Sequence, residues 1–329
     1  MTPPPGRGPA ITARDLVKTY PAGRGKDPVR ALDGLSLSIP AGSVFGLLGP
    51  NGAGKSTTVK VLTTLSRADS GSATVDEVDV QADPGRVRRR IGLVPQRACS
   101  DPMATGRENL VLAGRIQGLA AADARARASA LLERFGLDEA ADRLVKTYSG
   151  GMARKLDVAL GLVHRPSVLF LDEPTTGLDP EARAEMWAEI GSLATVDGMT
   201  VLLTTHYLDE ADRLVDRLAI IDRGRVVVEG TPDGLKGELH GDTVTVDVAD
   251  PELAAPAAER MARLDGLVDV AVDGRTVRAR SGAAATVVPT LLAGLERDGV
   301  SVLSATVSRP SLDDVYLRHA GRSFLEEAS

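Results

Sequence analysis

The chain has 329 residues, 43% hydrophobic and 26% charged, which gives it the material of a sizeable core and excludes collagen-like, disulfide-rich and wholly disordered classes. Its length fits two domains, or one large domain with an appendage. A net charge of −6 argues against a nucleic-acid partner held by bulk charge, and the single cysteine, Cys99, excludes an intramolecular disulfide and fits a reducing cytoplasm. Residues 1–10 are Pro/Gly-rich at the start and are expected as a flexible tail. Strand patterns follow at 11–17 and 29–39, then a turn at Pro40-Ala41-Gly42. Residues 44–48 form a short continuous apolar run, as expected of a strand buried on both faces, and a glycine-rich loop and a helix over 55–65 come next. Buried strands are expected again at 91–94, 168–171, 201–204 and 218–221, and a strand at 226–228. Between them, 105–165 carries helical spacing and few β-branched residues, which predicts a helical subdomain inserted into a mostly parallel sheet. No apolar run reaches the roughly 18–20 residues of a membrane span, because His164-Arg165-Pro166 interrupts the most apolar region. The chain is therefore expected to be soluble, with any membrane role exercised through a partner.

Gly49-Pro50-Asn51-Gly52-Ala53-Gly54-Lys55-Ser56-Thr57 matches the Walker A pattern GxxxxGK[ST], placed as that motif requires between a strand and a helix. The glycines let successive N–H groups turn toward phosphate oxygens, and the helix behind adds its positive end. Lys55 is expected to reach the β- and γ-phosphates, and the Ser56 hydroxyl to ligate Mg²⁺, a hard ion that prefers oxygen. The apolar run 168–171 leads into Asp172 and Glu173. Alone, this reads equally as a strand followed by an acidic helix cap. Behind a Walker A loop it reads as Walker B, with Asp172 beside the metal and Glu173 placed to orient water or accept its proton. These residues point to a P-loop NTPase.

Tyr148-Ser149-Gly150-Gly151-Met152 lies in the helical region and resembles the LSGGQ signature of ATP-binding cassette (ABC) ATPases. Ser149 is expected to cap a helix and present its N-terminus and hydroxyl to phosphate. The other family elements stand in family order. Gln96, after Leu93-Val94-Pro95, resembles the Q-loop glutamine, and Gly177-Leu178-Asp179 resembles the D-loop. His206, after Leu202-Leu203-Thr204-Thr205, resembles the switch histidine, and Tyr20 the aromatic that stacks on adenine. The likeness covers about residues 11–231. It departs from the common signature at Tyr148, which replaces Leu, and at Met152, which lacks the amide of Gln. With Thr105-Gly106-Arg107-Glu108-Asn109-Leu110 and Thr205-His206-Tyr207-Leu208-Asp209-Glu210-Ala211, this variant resembles the daunorubicin/doxorubicin-resistance type of ABC subunit.

The resemblance implies an ABC cassette over residues 11–237 that hydrolyses ATP with Mg²⁺. Glu173 and His206 would be catalytic; Tyr20, Gly49, Pro50, Asn51, Gly52, Ala53, Gly54, Lys55, Ser56, Thr57 and Gln96 would hold ATP; Ser56, Gln96 and Asp172 would hold the metal. Two cassettes would pair as a homodimer, so that Ser149, Gly150, Gly151 and Asp179 act on the partner's ATP. Gln96 and the segment to Leu110 would couple ATP to a separately encoded membrane permease, in drug or secondary-metabolite export, at the cytoplasmic face of the cell membrane and without nucleic acid. The alternative is a soluble ABC ATPase acting on ribosomes or DNA. Ribosomal ones usually carry two cassettes per chain and DNA-acting ones long coiled coil, neither of which this sequence has. A regulator without turnover is a third reading, opposed by Glu173 and His206.

Residues 238–309 follow the order βαββαβ, which predicts a small α+β domain of ferredoxin-like type without a phosphate loop, expected to serve assembly or regulation. Residues 310–329 are expected as a helix and tail. Pro310-Ser311-Leu312-Asp313-Asp314-Val315-Tyr316-Leu317 resembles the C-terminal motif of the same subunit type. Ser311 would cap a helix whose Leu312, Val315 and Tyr316 form an apolar stripe able to dock on a cassette.

Overall fold

Alternation of apolar and polar residues sets the first two strands of the computed structural model, β1 (Ile11–Tyr20) and β2 (Val29–Ile39). The model describes residues 8–21, 27–239 and 241–320, and all structural statements concern these; residues 1–7 and 321–329 of the expected tails lie outside them. The chain divides into two units, 1–231 and 232–329. The first continues with β3 (Val44–Leu48), α1 (Lys55–Leu62), β4 (Ser70–Val75), β5 (Val78–Asp79), α2 (Pro84–Arg90) and β6 (Ile91–Val94). Three helices follow, α3 (Gly106–Ile116), α4 (Ala121–Arg134) and α5 (Gly150–Gly161). The unit ends with β7 (Val168–Asp172), α6 (Pro180–Thr195), β8 (Thr200–Thr205), α7 (Leu208–Leu214), β9 (Arg217–Asp222) and β10 (Arg225–Gly230).

The continuous apolar runs become the inner strands of a six-stranded sheet in the order β10-β9-β3-β8-β7-β6. Its strands are parallel except for β10, which returns antiparallel beside β9. All residues of β3 and β8 are buried, the pattern of strands covered on both faces. The parallel arrangement brings the C-terminal ends of β3, β6, β7 and β8 to one edge, where loops carry ligand-binding chemistry.

The alternating strands do not join this sheet. They form a separate antiparallel sheet, β2-β1-β4-β5, in which β4 and β5 were not apparent from the sequence. One core joins it to the larger sheet: Leu16, Leu35, Val59 and Leu62 pack in the same cluster as Phe45, Phe170 and Leu202. The expected helical insertion is present as α3, α4 and α5. Thr105 and Glu108 close a reciprocal capping box at the start of α3.

The second unit holds α8 (Pro232–Gly237), β11 (Asp242–Val248), α9 (Ala254–Ala262), β12 (Val268–Asp273), β13 (Thr276–Ser281), α10 (Ala284–Arg297), β14 (Val302–Ser308) and α11 (Leu312–Ala320). The expected cassette boundary at 237 is the end of α8, which this division places with the second unit. The expected βαββαβ succession forms an antiparallel sheet in the order β12-β13-β11-β14. Val244, Val246, Ala257, Met261, Leu291 and Leu295 fill its core with α9 and α10. Ser311 accepts the Asp314 N–H at the start of α11, and Leu312, Val315 and Tyr316 are buried. This helix docks within its own unit, against α8 and, through Asp313–Arg278 and Asp314–Thr243, against the sheet.

Phe170, fully buried in β7, fixes the centre of the first unit's core. Phe170→Ala is expected to destabilise that unit by about 3–5 kcal/mol, measured by urea unfolding followed through Trp187 fluorescence. A loss below about 1 kcal/mol would mean that the strand closes over the cavity.

Candidate functional site

The Walker A loop leaves β3 through Gly49 and enters α1 through Gly54. At Gly49, φ is +156° and a Cβ would lie 2.3 Å from the Ile221 carbonyl oxygen; at Gly54, φ is +111° and a Cβ would lie 2.6 Å from that of Ala31. Both positions therefore admit only glycine. Pro50, Asn51, Gly52 and Ala53 form the turn between them, closed by the Ala53 N–H donating to the Pro50 oxygen at 3.2 Å. Lys55 is buried, and its ammonium donates to the carbonyl oxygens of Gly49 and Pro50, the latter at 2.9 Å. Burial lowers its pKa, opposed by the charges of Glu173 and then Asp172. Ser56 follows, exposed, and Thr57 is half-buried.

Asp172 ends β7 opposite this loop. The Ser56 hydroxyl donates to its Oδ1 at 3.5 Å, and the Thr204 hydroxyl of neighbouring β8 donates to the same oxygen at 2.6 Å. Glu173 turns out of the strand with φ +48°, a region costly for a residue with a side chain. Its N–H is held by Thr204 twice, through Oγ1 at 3.0 Å and the carbonyl oxygen at 3.2 Å. The carboxylate is then gripped at both oxygens. His206 Nδ1 lies 3.2 Å from Oε1, while Gln96 Nε2 donates to Oε2 at 2.8 Å and Thr176 Oγ1 at 3.3 Å.

The structure thus brings Lys55, Ser56, Gln96, Asp172, Glu173 and His206 to one edge of the sheet. Gln96, expected at the metal, has its amide on Glu173. Tyr20 ends β1, with the Lys18 ammonium 5.5 Å from its ring centroid. Ser149 and Asp179 cap α5 and α6, accepting from Met152 N–H and Ala182 N–H. A Cβ on Gly151 would lie 3.0 Å from that of Ala182, so the two helix starts lie side by side, with Ser149, Gly150 and Asp179 exposed. Among the described residues none of these four signature and D-loop positions hydrogen-bonds to the Walker A loop or to Glu173. The signature's departure at Tyr148 has a local reason. The Tyr148 hydroxyl donates to the Ala140 oxygen at 2.7 Å and lies over Gly106, where a Cβ would stand 2.4 Å from it.

Of the buried charged residues that the sequence does not single out, Arg154 and Glu210 brace this edge of the sheet. Arg154, on α5, donates to the carbonyl oxygens of Pro95 at 2.7 Å, Pro174 at 2.8 Å, Asp172 at 3.1 Å and Glu173 at 3.3 Å. Glu210, on α7, accepts from Thr175 Oγ1 at 2.6 Å, Thr205 Oγ1 at 2.5 Å and Trp187 Nε1 at 2.8 Å. Neither is marked in the sequence, because the partners of Arg154 are backbone oxygens and those of Glu210 come from three separate elements. At Cys99, partial burial and then the neighbouring Asp157 push the thiol up to about 12.

Ser56 and Asp172 offer hard oxygen donors at one place, which fits Mg²⁺ completed by phosphate oxygens and water. Among the described residues there is no group of three or more His, Cys, Asp or Glu able to hold a metal by themselves, and no helix long and apolar enough to cross a membrane.

The family model described as ABC transporter matches residues 32–176. The chain is 46% identical over 318 residues to the daunorubicin/doxorubicin resistance ATP-binding protein DrrA of Streptomyces peucetius, covering 95% of this chain and 92% of that one. It is 40% identical over 328 residues to the Nod factor export ATP-binding protein I of Ralstonia nicotianae, covering 97% of each. Among solved structures, the ATP-binding cassette MJ0796, in a dimeric post-hydrolysis state bound to ADP and Pi, matches with a TM-score of 0.62 at 26% identity over 67% of this chain and 98% of that one. CbiO1 of Clostridium perfringens, part of the ABC transporter complex cbiONQ, matches with a TM-score of 0.62 at 27% identity over 70% and 92%.

Thr204 joins Asp172 to Glu173, so Thr204→Val removes both hydroxyl bonds at nearly constant volume. ATP turnover is expected to fall about tenfold to a hundredfold, the effect of about 1.5–3 kcal/mol for a bond to a charged group. Thr204→Ser is expected to retain most activity. Steady-state hydrolysis at saturating ATP and Mg²⁺ checks this, and an unimpaired valine variant would remove Thr204 from the site.

Proposed function

The chain belongs to the ABC family as an ATP-hydrolysing, ATP-binding subunit, and from that premise we propose that it works as a homodimer that energises a separately encoded membrane permease in drug or secondary-metabolite export. The observation that carries the hydrolytic part is the grip on Glu173, whose two carboxylate oxygens meet His206 and Gln96 while its backbone is tied to Thr204. A carboxylate so oriented, beside a phosphate loop, is placed to align a water and accept its proton. His206 holds the carboxylate through its Nδ1. The Walker A N–H groups and Lys55 would hold the phosphates, and Ser56 and Asp172 would hold Mg²⁺, which would supply charge neutralisation when bound. Gln96 links Glu173 to the segment that follows it, the route by which ATP occupancy reaches a permease.

The homodimer reading is supported by the exposed cap of Ser149 and the neighbouring start of α6 at Asp179. Two helix N-termini side by side form an anion site that a second copy's ATP fits, and two such surfaces close with twofold symmetry. The export reading is supported by the names of the drug-resistance and Nod-factor-export relatives. A permease partner would place the chain at the cytoplasmic face of the membrane. The second unit carries no phosphate loop and is assigned to assembly or regulation.

Glu173→Gln keeps the shape but removes the proton acceptor. It is expected to bind ATP normally, lose turnover by about a hundredfold or more, and sediment as an ATP-dependent dimer. Near-normal hydrolysis would sink the assignment.

The shared site is tested by mixing. Ser149→Arg and Lys55→Ala chains are each expected to be inactive, yet a mixture forms one intact composite site and recovers part of the activity. Absence of recovery, with subunit exchange demonstrated by fluorescence transfer, would contradict a site shared between copies.

A further inference from the structure

α5 leaves the exposed Ser149 cap and, one turn in, buries a charged pair. Arg154 is 8% exposed and Asp157 2%, with Nη1 and Oδ2 4.0 Å apart at spacing i, i+3. A buried guanidinium persists only where its donors are used. Here they are used on backbone. Arg154 bridges the carbonyl oxygens of Asp172, Glu173 and Pro174, the turn that carries the strained Glu173, and that of Pro95, the residue before Gln96. Asp157 takes the other side of the same segment. Its Oδ1 accepts the N–H groups of Cys99 at 3.2 Å and Ser100 at 3.1 Å, and the Cys99 thiol at 3.3 Å.

We propose that Arg154 and Asp157 form a positioning clamp that fixes the Glu173 turn and residues 95–100 to the signature helix, so that Glu173 and Gln96 meet in register. No other side chain of α5 reaches both segments among the described hydrogen bonds. Carbonyls leaving a strand in divergent directions need a planar group with several fixed donors, which guanidinium has and ammonium lacks. Arg154 touches no reacting atom; it acts through the backbone of Glu173. The proposal rests on Glu173 being the catalytic carboxylate.

The test uses the full chain, with Arg154→Met, Arg154→Lys, Asp157→Asn and Glu173→Gln compared by thermal unfolding, ATP affinity, kcat and KM. Arg154→Met is expected to lower kcat about a hundredfold, the effect of a misplacement near 1 Å, with ATP affinity within about threefold of the parent because the Walker A loop is untouched. Arg154→Lys restores part of kcat, which a general loss of stability would not reproduce. Asp157→Asn weakens the acceptor that holds the Cys99 and Ser100 N–H groups and the Cys99 thiol, so maleimide labelling of this single cysteine at pH 8 is expected to quicken about threefold, with a smaller loss of kcat. If Arg154→Met does not fold, Arg154→Lys and Asp157→Asn carry the test. Folded Arg154 variants with parental kcat, or a loss confined to ATP affinity, would overturn the clamp while an inactive Glu173→Gln leaves the catalytic assignment standing. An active Glu173→Gln would overturn that assignment and the clamp's purpose together.

Discussion

β7 stops at Asp172, and the next residue, Glu173, turns its carboxylate toward Gln96 and His206 at the edge of the sheet. A parallel strand buried on both faces runs on unless something intercepts its backbone, and at Glu173 the intercepting group is Thr204. Its hydroxyl accepts the Glu173 N–H and donates to Asp172, so one side chain orients two carboxylates with opposite ends of one dipole. The left-handed conformation of Glu173 costs on the order of 1–3 kcal/mol and persists only where surrounding bonds over-determine it. Thr204 on one side and Arg154 on the other provide that over-determination.

Arg154 and Glu210 solve complementary problems at the same edge. Loops leaving strand ends expose carbonyl oxygens that lack partners in the sheet, and a guanidinium, all donors, satisfies several at once. The following turns bring hydroxyls and an indole N–H inward, and a carboxylate, all acceptors, collects them. Glu210 thereby ties Thr175 beyond the catalytic turn to Thr205 beside His206, with Trp187 of α6 as the third anchor. Buried ions of opposite sign on different helices thus brace the residues on either side of Glu173, Arg154 through Asp172 and Pro174 and Glu210 through Thr175 and Thr205.

Much of this molecule was legible in its sequence because burial and phosphate binding both leave local marks. β3 and β7 announce themselves as short apolar runs, since neither face of the strand meets water. Gly49 and Gly54 are legible because phosphate binding demands backbone conformations that only glycine reaches. β4 and β5 were not legible: Ser70-Gly71-Ser72 has little strand character, and the strand exists because β1 offers it an edge. Arg154 and Glu210 were hidden for a related reason. Their hydrogen-bond partners lie between 5 and 59 residues away, and those of Arg154 are backbone atoms, so no residue type in the sequence marks them. The terminal helix shows the same limit. Its apolar stripe was readable, but the surface it covers, that of its own unit, was set by Arg278 and Thr243.

The signature helix has two jobs whose demands differ along its length. Its first turn is open, capped by Ser149 alone and exposed, which is what the proposed binding of a second copy's ATP requires. Its second turn must be closed and rigid, since Arg154 and Asp157 hold segments from two other loops. Tyr148 stands at the entry to this helix. Its ring lies over Gly106 at the start of α3 and its hydroxyl is fixed to Ala140, so the entry to α5 is anchored in the helical subdomain while its second turn is anchored at the catalytic edge. The Tyr148 hydroxyl adds a directional bond that leucine could not make, and so ties the start of α5 to the loop before it and to α3.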